Sequence, residues 1–374
     1  MRKILFLTVL LLSFTIMLTS CRPPELEGAF VDFNAKRYDN ALKLAIEATD
    51  KYPTNPEAPF LLGKIYAEKE MFGEMVDAFN KSLERGSEYE SQIKEFKQYY
   101  FQNEYKKAYD NYVSYQDMAG DTTEKAMKLL DLSIKHSKNA SLIVPDDYRP
   151  IKLTGLAYNY KDENDLAIDY FKKLTKLKPD TTDGWYQVGR VYFNTHQYEK
   201  AAEYNKKAVE IDQSFIPAVE LLAFSYESLK DTVNSIKTYK MASEVDPNNV
   251  SYIFNLGLIY NKQASSTSDN TEKARLYGLA EEQFSKAISL NPEDLDSYQR
   301  QLYDGNLEIM YTLDCIAQIQ QKKFEDCKNT ALSGLDLFPD SDELYEFLAI
   351  CYANLGESAK AKEAQERAKQ LKGE

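Results

Sequence analysis

The chain has 374 residues, with 46 basic and 59 acidic side chains and a net charge of −13. Such acidity argues against nucleic acid as a partner and against lying flat on anionic lipid. Only 14 glycines and 12 prolines interrupt it, and beyond the N-terminal stretch no segment is apolar enough to span a bilayer, so the bulk is expected to be a folded helical body.

Residues 1–20 have the character of a cleaved signal. Arg2 and Lys3 give a positive start, and Ile4 to Leu18 form an apolar stretch too short for a comfortable membrane span. The stretch ends Leu18-Thr19-Ser20-Cys21, which resembles the lipobox of bacterial lipoproteins. That resemblance implies cleavage before Cys21 and acylation of its thiolate, with two or three chains anchoring the protein at about 0.8 kcal/mol per buried CH₂. Cleavage removes Arg2 and Lys3 and leaves 44 basic against 59 acidic residues, a net −15. Arg22 follows the cysteine, where the resemblance would place an Asp to retain a lipoprotein in the inner membrane, so the outer membrane is favoured if the cell has two. The side faced, periplasm or exterior, is left open.

After the lipidated cysteine, residues 21–28 read as a short linker stiffened by Pro23 and Pro24. Residues 29–53 carry Tyr38, Ala41, Ala45, Ala48 and Pro53, the second half of a helix pair whose first helix is weak. A clearer pair follows over 56–88, with Gly63, Tyr66, Phe72 and Phe79. Residues 89–147 depart from this pattern: a long Tyr- and Lys-rich helix from Tyr89 to about Met118 meets a second from Thr122 to His136. Gly120 is expected to make their turn, and Asp121 or Thr122 to cap the second helix.

From 148 onward one spacing holds without slipping. Tyr158, Tyr192, Tyr226 and Tyr260 stand 34 residues apart, as do Gly155, Gly189, Ala223 and Gly257, and again Ala167, Ala201 and Ser235. Pro179 and Pro247 close two of these units, because proline cannot continue a helix. The best unit reads Trp185-x2-Val188-Gly189-x2-Tyr192, then Ala201, Tyr204 and Ala208. Period and pattern resemble the tetratricopeptide repeat, a pair of antiparallel helices. The small residue of the first helix is expected to face the Ala or Ser of the second, with the Tyr and a bulky residue filling the space around. One pair cannot bury its apolar face alone, so the resemblance implies an all-α, right-handed superhelical solenoid of eight or nine such pairs. The 28 tyrosines fit that use as packing residues.

The regular array extends over 148–294 with an interruption. The next small residue, Ala280, arrives 11 residues late, and residues 262–273 read as an inserted, flexible polar loop projecting from one rim. Residues 295–374 form the C-terminal part: a spacer with some helix over 295–307, a pair over 308–341 with Cys315, Phe324, Cys327 and Ala331, and a closing pair over 342–371.

Little in the chain suggests chemistry. The two histidines, His136 near an expected helix end and His196 in a turn, have no cysteine or paired carboxylate at ligand spacing and read as structural surface residues. The acidic pairs Asp146-Asp147 and Glu281-Glu282 are most simply solvated or capping. No nucleophile elbow, phosphate loop, Rossmann fingerprint or HExxH is present, so no enzyme, metal or cofactor is expected. Cys315 and Cys327 occupy the two facing small-residue slots of one pair, where a disulfide competes evenly with plain replacement of alanine; Cys351 has no obvious partner.

Function in such an array is expected on its inner face. Three ladders line it: Lys152, Tyr186, Glu220, Phe254; then Leu156, Arg190, Phe224, Leu258; then Asn159, Phe193, Glu227, Asn261. They do not reproduce the Lys/Asn/Lys/Arg clamp by which some tetratricopeptide domains hold terminal carboxylates. Their apolar groups suit anchors of an extended peptide or amphipathic helix, with Arg190 or Glu220 setting register. A packing role between repeats is the competing reading of Phe193, Phe224 and Phe254. Two functions follow: a lipid-anchored envelope scaffold docking another membrane or envelope protein, or a component that binds a peptide or small molecule for uptake.

Overall fold

The computed structural model describes residues 22–118 and 123–373. Cys21 lies outside them, as do Gly120, Asp121 and Thr122 of the expected turn and cap. Among the described residues there are eighteen α-helices, one short 3₁₀ turn and no strand. None of these helices is long and apolar enough to cross a membrane.

The chain divides into two compact units, one up to Pro179 and one from Asp180 onward. The first holds α1 (Pro24–Asn34), α2 (Tyr38–Lys51), α3 (Glu57–Glu68), α4 (Phe72–Arg85), α5 (Glu90–Gln116), α6 (Glu124–Ile143), α7 (Tyr148–Tyr160) and α8 (Asn164–Leu177). The second holds α9 (Thr182–Asn194), α10 (Tyr198–Ile211), α11 (Ile216–Ser228), α12 (Thr232–Val245), α13 (Val250–Ser266), α14 (Asn270–Ile288), α15 (Ser297–Gln320), α16 (Phe324–Leu337), α17 (Asp342–Asn354) and α18 (Ser358–Lys372). These make four helix pairs in the first unit and five in the second.

Close packing sets the 34-residue register, though the small residues meet a different partner from the one expected. A methyl group added at Gly63 would lie 2.4 Å from the Phe79 ring, at Gly155 2.6 Å from Phe171, and at Gly257 2.6 Å from Phe284. At Gly189 it would meet Asn205 at 2.6 Å. The glycine therefore accommodates the side chain four residues after the small position of the second helix. Those rings are almost fully buried, and burial of each stabilises its pair by about 2 kcal/mol.

Several expected boundaries move because burial extends them. No linker reaches residue 28: α1 starts at Pro24, suited to a first helical turn, and buries Leu26 and Ala29. α6 continues past His136 to Ile143, since Ala140 and Ile143 pack into the cluster of Phe60, Phe79 and Phe101; its N-cap is Thr123, whose hydroxyl accepts from Ala126 N at 3.4 Å. The insertion at 262–273 is mostly helix, lengthening α13 and α14 and leaving only Thr267 to Asp269 between them. Buried Ala264, Leu276 and Tyr277 hold the added turns, and Asp269 caps α14. The spacer expected over 295–307 is likewise the first half of α15, anchored by Tyr303 on Val250 and Ile253.

Candidate functional site

The expected inner-face residues stand at fixed offsets from the small position of each first helix, and most of them fall in the second unit. Tyr186 and Arg190 lie on α9, Glu220 and Phe224 on α11, and Phe254 and Leu258 on α13. Phe193 is half-buried and meets Tyr198 of its own turn edge-on at 5.5 Å. Phe254 packs against Phe284 at 6.3 Å and joins the apolar cluster under α15. Phe193 and Phe254 thus serve packing. Phe224 is the most open of the three, at 38% exposed. Lys152 and Leu156 sit half-buried on α7 in the first unit.

Tyr186 stands edge-on to Phe215 at 5.3 Å and is itself half-buried. Burial pushes the Glu220 carboxyl up, opposed only by the hydroxyl that Ser251 donates to it. The Glu227 carboxyl moves the same way through burial, against Lys262 and Ser235. Arg190 is half-buried, and its Nε has no hydrogen-bond partner. That Nε is closed to water, so leaving it unmade costs of the order of 1–3 kcal/mol, and only the partly exposed remainder of the guanidinium can meet an incoming acceptor.

Sequence reasoning missed Tyr298. It lies on the first turn of α15, 48% exposed, and Glu220 and Tyr186 are close enough to raise its hydroxyl pKa alongside burial. The signal was absent because this turn lies outside the 34-residue register. Tyr186, Arg190, Glu220 and Tyr298 thus lie near one another, and Phe224 and Leu258 hold the register position of Arg190 on the next two first helices. The candidate site offers one half-buried guanidinium, one half-buried carboxyl and exposed aromatic surface.

A tetratricopeptide-repeat profile matches residues 154–181, 182–215 and 342–374. The chain carries tetratricopeptide repeats. The unmatched pairs include those with the lengthened helices α5, α13, α14 and α15. Over 134 residues the chain is 28% identical to the photosystem I assembly protein Ycf3 of Prochlorococcus marinus strain NATL2A, covering 33% of this chain and 78% of that protein. It is 20% identical over 343 residues to the BBSome complex member BBS4 homolog of Drosophila melanogaster, covering 91% of this chain and 63% of the relative. Among solved structures, the C-terminal part of a TPR repeat-containing protein from Cytophaga hutchinsonii aligns with 86% of this chain and 99% of that one, at 13% identity and a TM-score of 0.47. Tetratricopeptide repeats generally mediate protein–protein interaction.

The remaining candidates resolve as structural features of this repeat array. His136 is not a surface residue: it lies inside α6 with Nδ1 2.7 Å from Glu104, a carboxylate only 1% exposed that also accepts from Lys107 and Asn139. His196 is exposed in its turn, with Nδ1 2.8 Å from the Tyr198 hydroxyl. Asp147 caps α7, whereas Glu281 does more than meet solvent, accepting from Gln321 at 2.7 Å and Lys323 at 2.5 Å. Cys315, Cys327 and Cys351 are free and buried, so the 315–327 disulfide is not formed in the structure. Cys351 is not partnerless either: burial and a hydrogen bond with Cys327 push its thiol up, and the Cys327 thiol lies between it and Cys315. Among the described residues no group of three His, Cys, Asp or Glu side chains could hold a metal ion.

Proposed function

We propose that this protein is a lipid-anchored scaffold of the cell envelope that docks a peptide or helix of another envelope protein on the inner face of its second unit. The observation that carries the reading is Arg190: a half-buried guanidinium near Tyr186, in the register position that the exposed Phe224 ring fills on the next first helix. A backbone carbonyl or carboxylate of the partner would accept from the exposed part of the guanidinium, while an apolar side chain covers Phe224 and Leu258. Relatives in sequence include an assembly protein and a complex member by name, which agrees with a binding role. Acylation at Cys21 would place the array at a membrane, the outer one where there are two.

The test is photocrosslinking in cells with a photoreactive residue at position 224. One dominant adduct that disappears in Arg190→Ala and in Cys21→Ala is the expected result. An adduct indifferent to Arg190→Ala would sink the docking site, and one indifferent to Cys21→Ala would sink the anchor.

A further inference from the structure

We propose that the inner face of the first unit holds a separate carboxylate-binding site, built on Lys64 and framed by Phe33, Phe60 and Phe96, which takes an acidic group carried next to an aromatic or apolar one on a partner polypeptide. Lys64 follows the register glycine of α3, the slot that Arg190 fills in α9. Its ammonium lies 5.0 Å from the centroid of Phe33, 5.3 Å from Phe96 and 5.7 Å from Phe60, rings supplied by α1, α5 and α3. The carboxylate one turn along its own helix is engaged elsewhere. Glu68 accepts from the Tyr100 hydroxyl at 2.8 Å and from the Tyr38 hydroxyl at 3.1 Å.

Other lysines of this unit have found carboxylates: Lys69 pairs with Asp39 at 2.6 Å, Lys107 with Glu104 at 2.7 Å and Lys161 with Asp131 at 2.7 Å. Lysines of this unit that no described carboxylate bridges include exposed ones such as Lys43 and Lys94; Lys64 differs in being half-buried among three rings. Burial lowers its pKa, with Glu68 opposing. Ring faces hold the cation in place and strip part of its hydration, yet they accept no conventional hydrogen bond from its three N–H groups. A carboxylate arriving from the open side would meet a positioned donor in a medium less screening than water. The half-exposed Phe33 and Phe96 would cover the apolar group beside it. The frame supplies a single cation among rings, so an anion without an apolar neighbour gains little from it.

These residues all belong to the first unit, so the proposal stands or falls apart from the reading of Arg190. Its test titrates the full chain with three probes: N-acetylphenylalanine, N-acetyl-aspartyl-phenylalanine amide and the neutral N-acetylphenylalanine amide. The expected result is that both carboxylates bind about tenfold more tightly than the amide. The stronger of the two tells whether a terminal or a side-chain carboxylate is preferred. Lys64→Gln is expected to abolish the difference and Lys64→Arg to keep most of it, with thermal melts confirming that both fold. Equal binding of the amide, an unchanged preference in Lys64→Gln, or no saturable binding of either acid overturns the site.

Discussion

Asp314, on α15, is the acid whose surroundings conflict most with its charge. It is 2% exposed, and burial, reinforced by Glu281 and opposed by Ser285, pushes its carboxyl up to about 7. Ser285 and Gln318 both donate to Oδ2, at 3.0 and 3.2 Å, while Oδ1 and the Gln318 carbonyl oxygen are buried without a donor. A proton on Asp314 brings one donor to a cluster holding two orphan acceptors. Because the folded pKa lies above the unfolded value of 3.8, the folded chain keeps this proton where the unfolded chain has lost it. That stability is fully present below about pH 4 and is lost as pH rises toward 7. Asp314→Asn should remove this slope and make the second unit more stable than wild type at pH 8, by about 1–3 kcal/mol. Thermal melts of both proteins at pH 5 and pH 8 check it, and parallel pH dependence would refute it. The sequence did not reveal this residue, nor the Glu104–His136 pair, for one reason. Each acid reads in sequence as one more charge on a mixed helix, and only tertiary packing shows which side of the helix is closed to water.

At the scale of the element, the device that repeats most faithfully is a turn. Lys36, Glu70, Asp162, His196, Lys230, Lys322 and Gly356 all have positive φ, between 56° and 81°, in the three-residue links within seven pairs. In each, the next amide returns to a carbonyl of the first helix, as Gln197 N does to Tyr192 O at 2.8 Å and Glu357 N to Tyr352 O at 2.9 Å. Six of the seven pay the left-handed cost of an L residue, about 1–2 kcal/mol. Lys230→Gly should therefore stabilise the second unit by about 0.5–1 kcal/mol after the added unfolded-state entropy, and Gly356→Ala should cost about 1 kcal/mol. Urea melts give both signs directly; a destabilising Lys230→Gly would mean that the side chain outweighs the strain. The 34-residue spacing was legible because packing demands a glycine or alanine against a ring. The turns were not, since Lys, Glu, Asp and His carry no mark of a left-handed backbone. The insertion at 262–273 was misjudged on composition: its Ser, Thr and Asn look like a loop, yet Ala264 and Tyr277 are buried and keep it helical.

For the molecule as a whole, what matters is how far a disturbance travels. Within each unit the substantial contacts of a helix are with its first and second neighbours along the chain, and the cores are a series of local clusters. Stability is then close to a sum of pair and neighbour contributions, and damage should stay near its source. Gly63→Ala provides the disturbance, because the new methyl would stand 2.4 Å from Phe79, a ring buried between α3 and α4. Forcing that ring aside should cost about 2–3 kcal/mol in the first unit. Hydrogen exchange read by mass spectrometry should then show faster exchange in peptides from α1 to α6, and unchanged protection in α17 and α18, whose core of Leu344, Leu348 and Cys351 shares no residue with the damaged cluster. A uniform loss of protection along the chain would instead mean that the protein unfolds as one cooperative body.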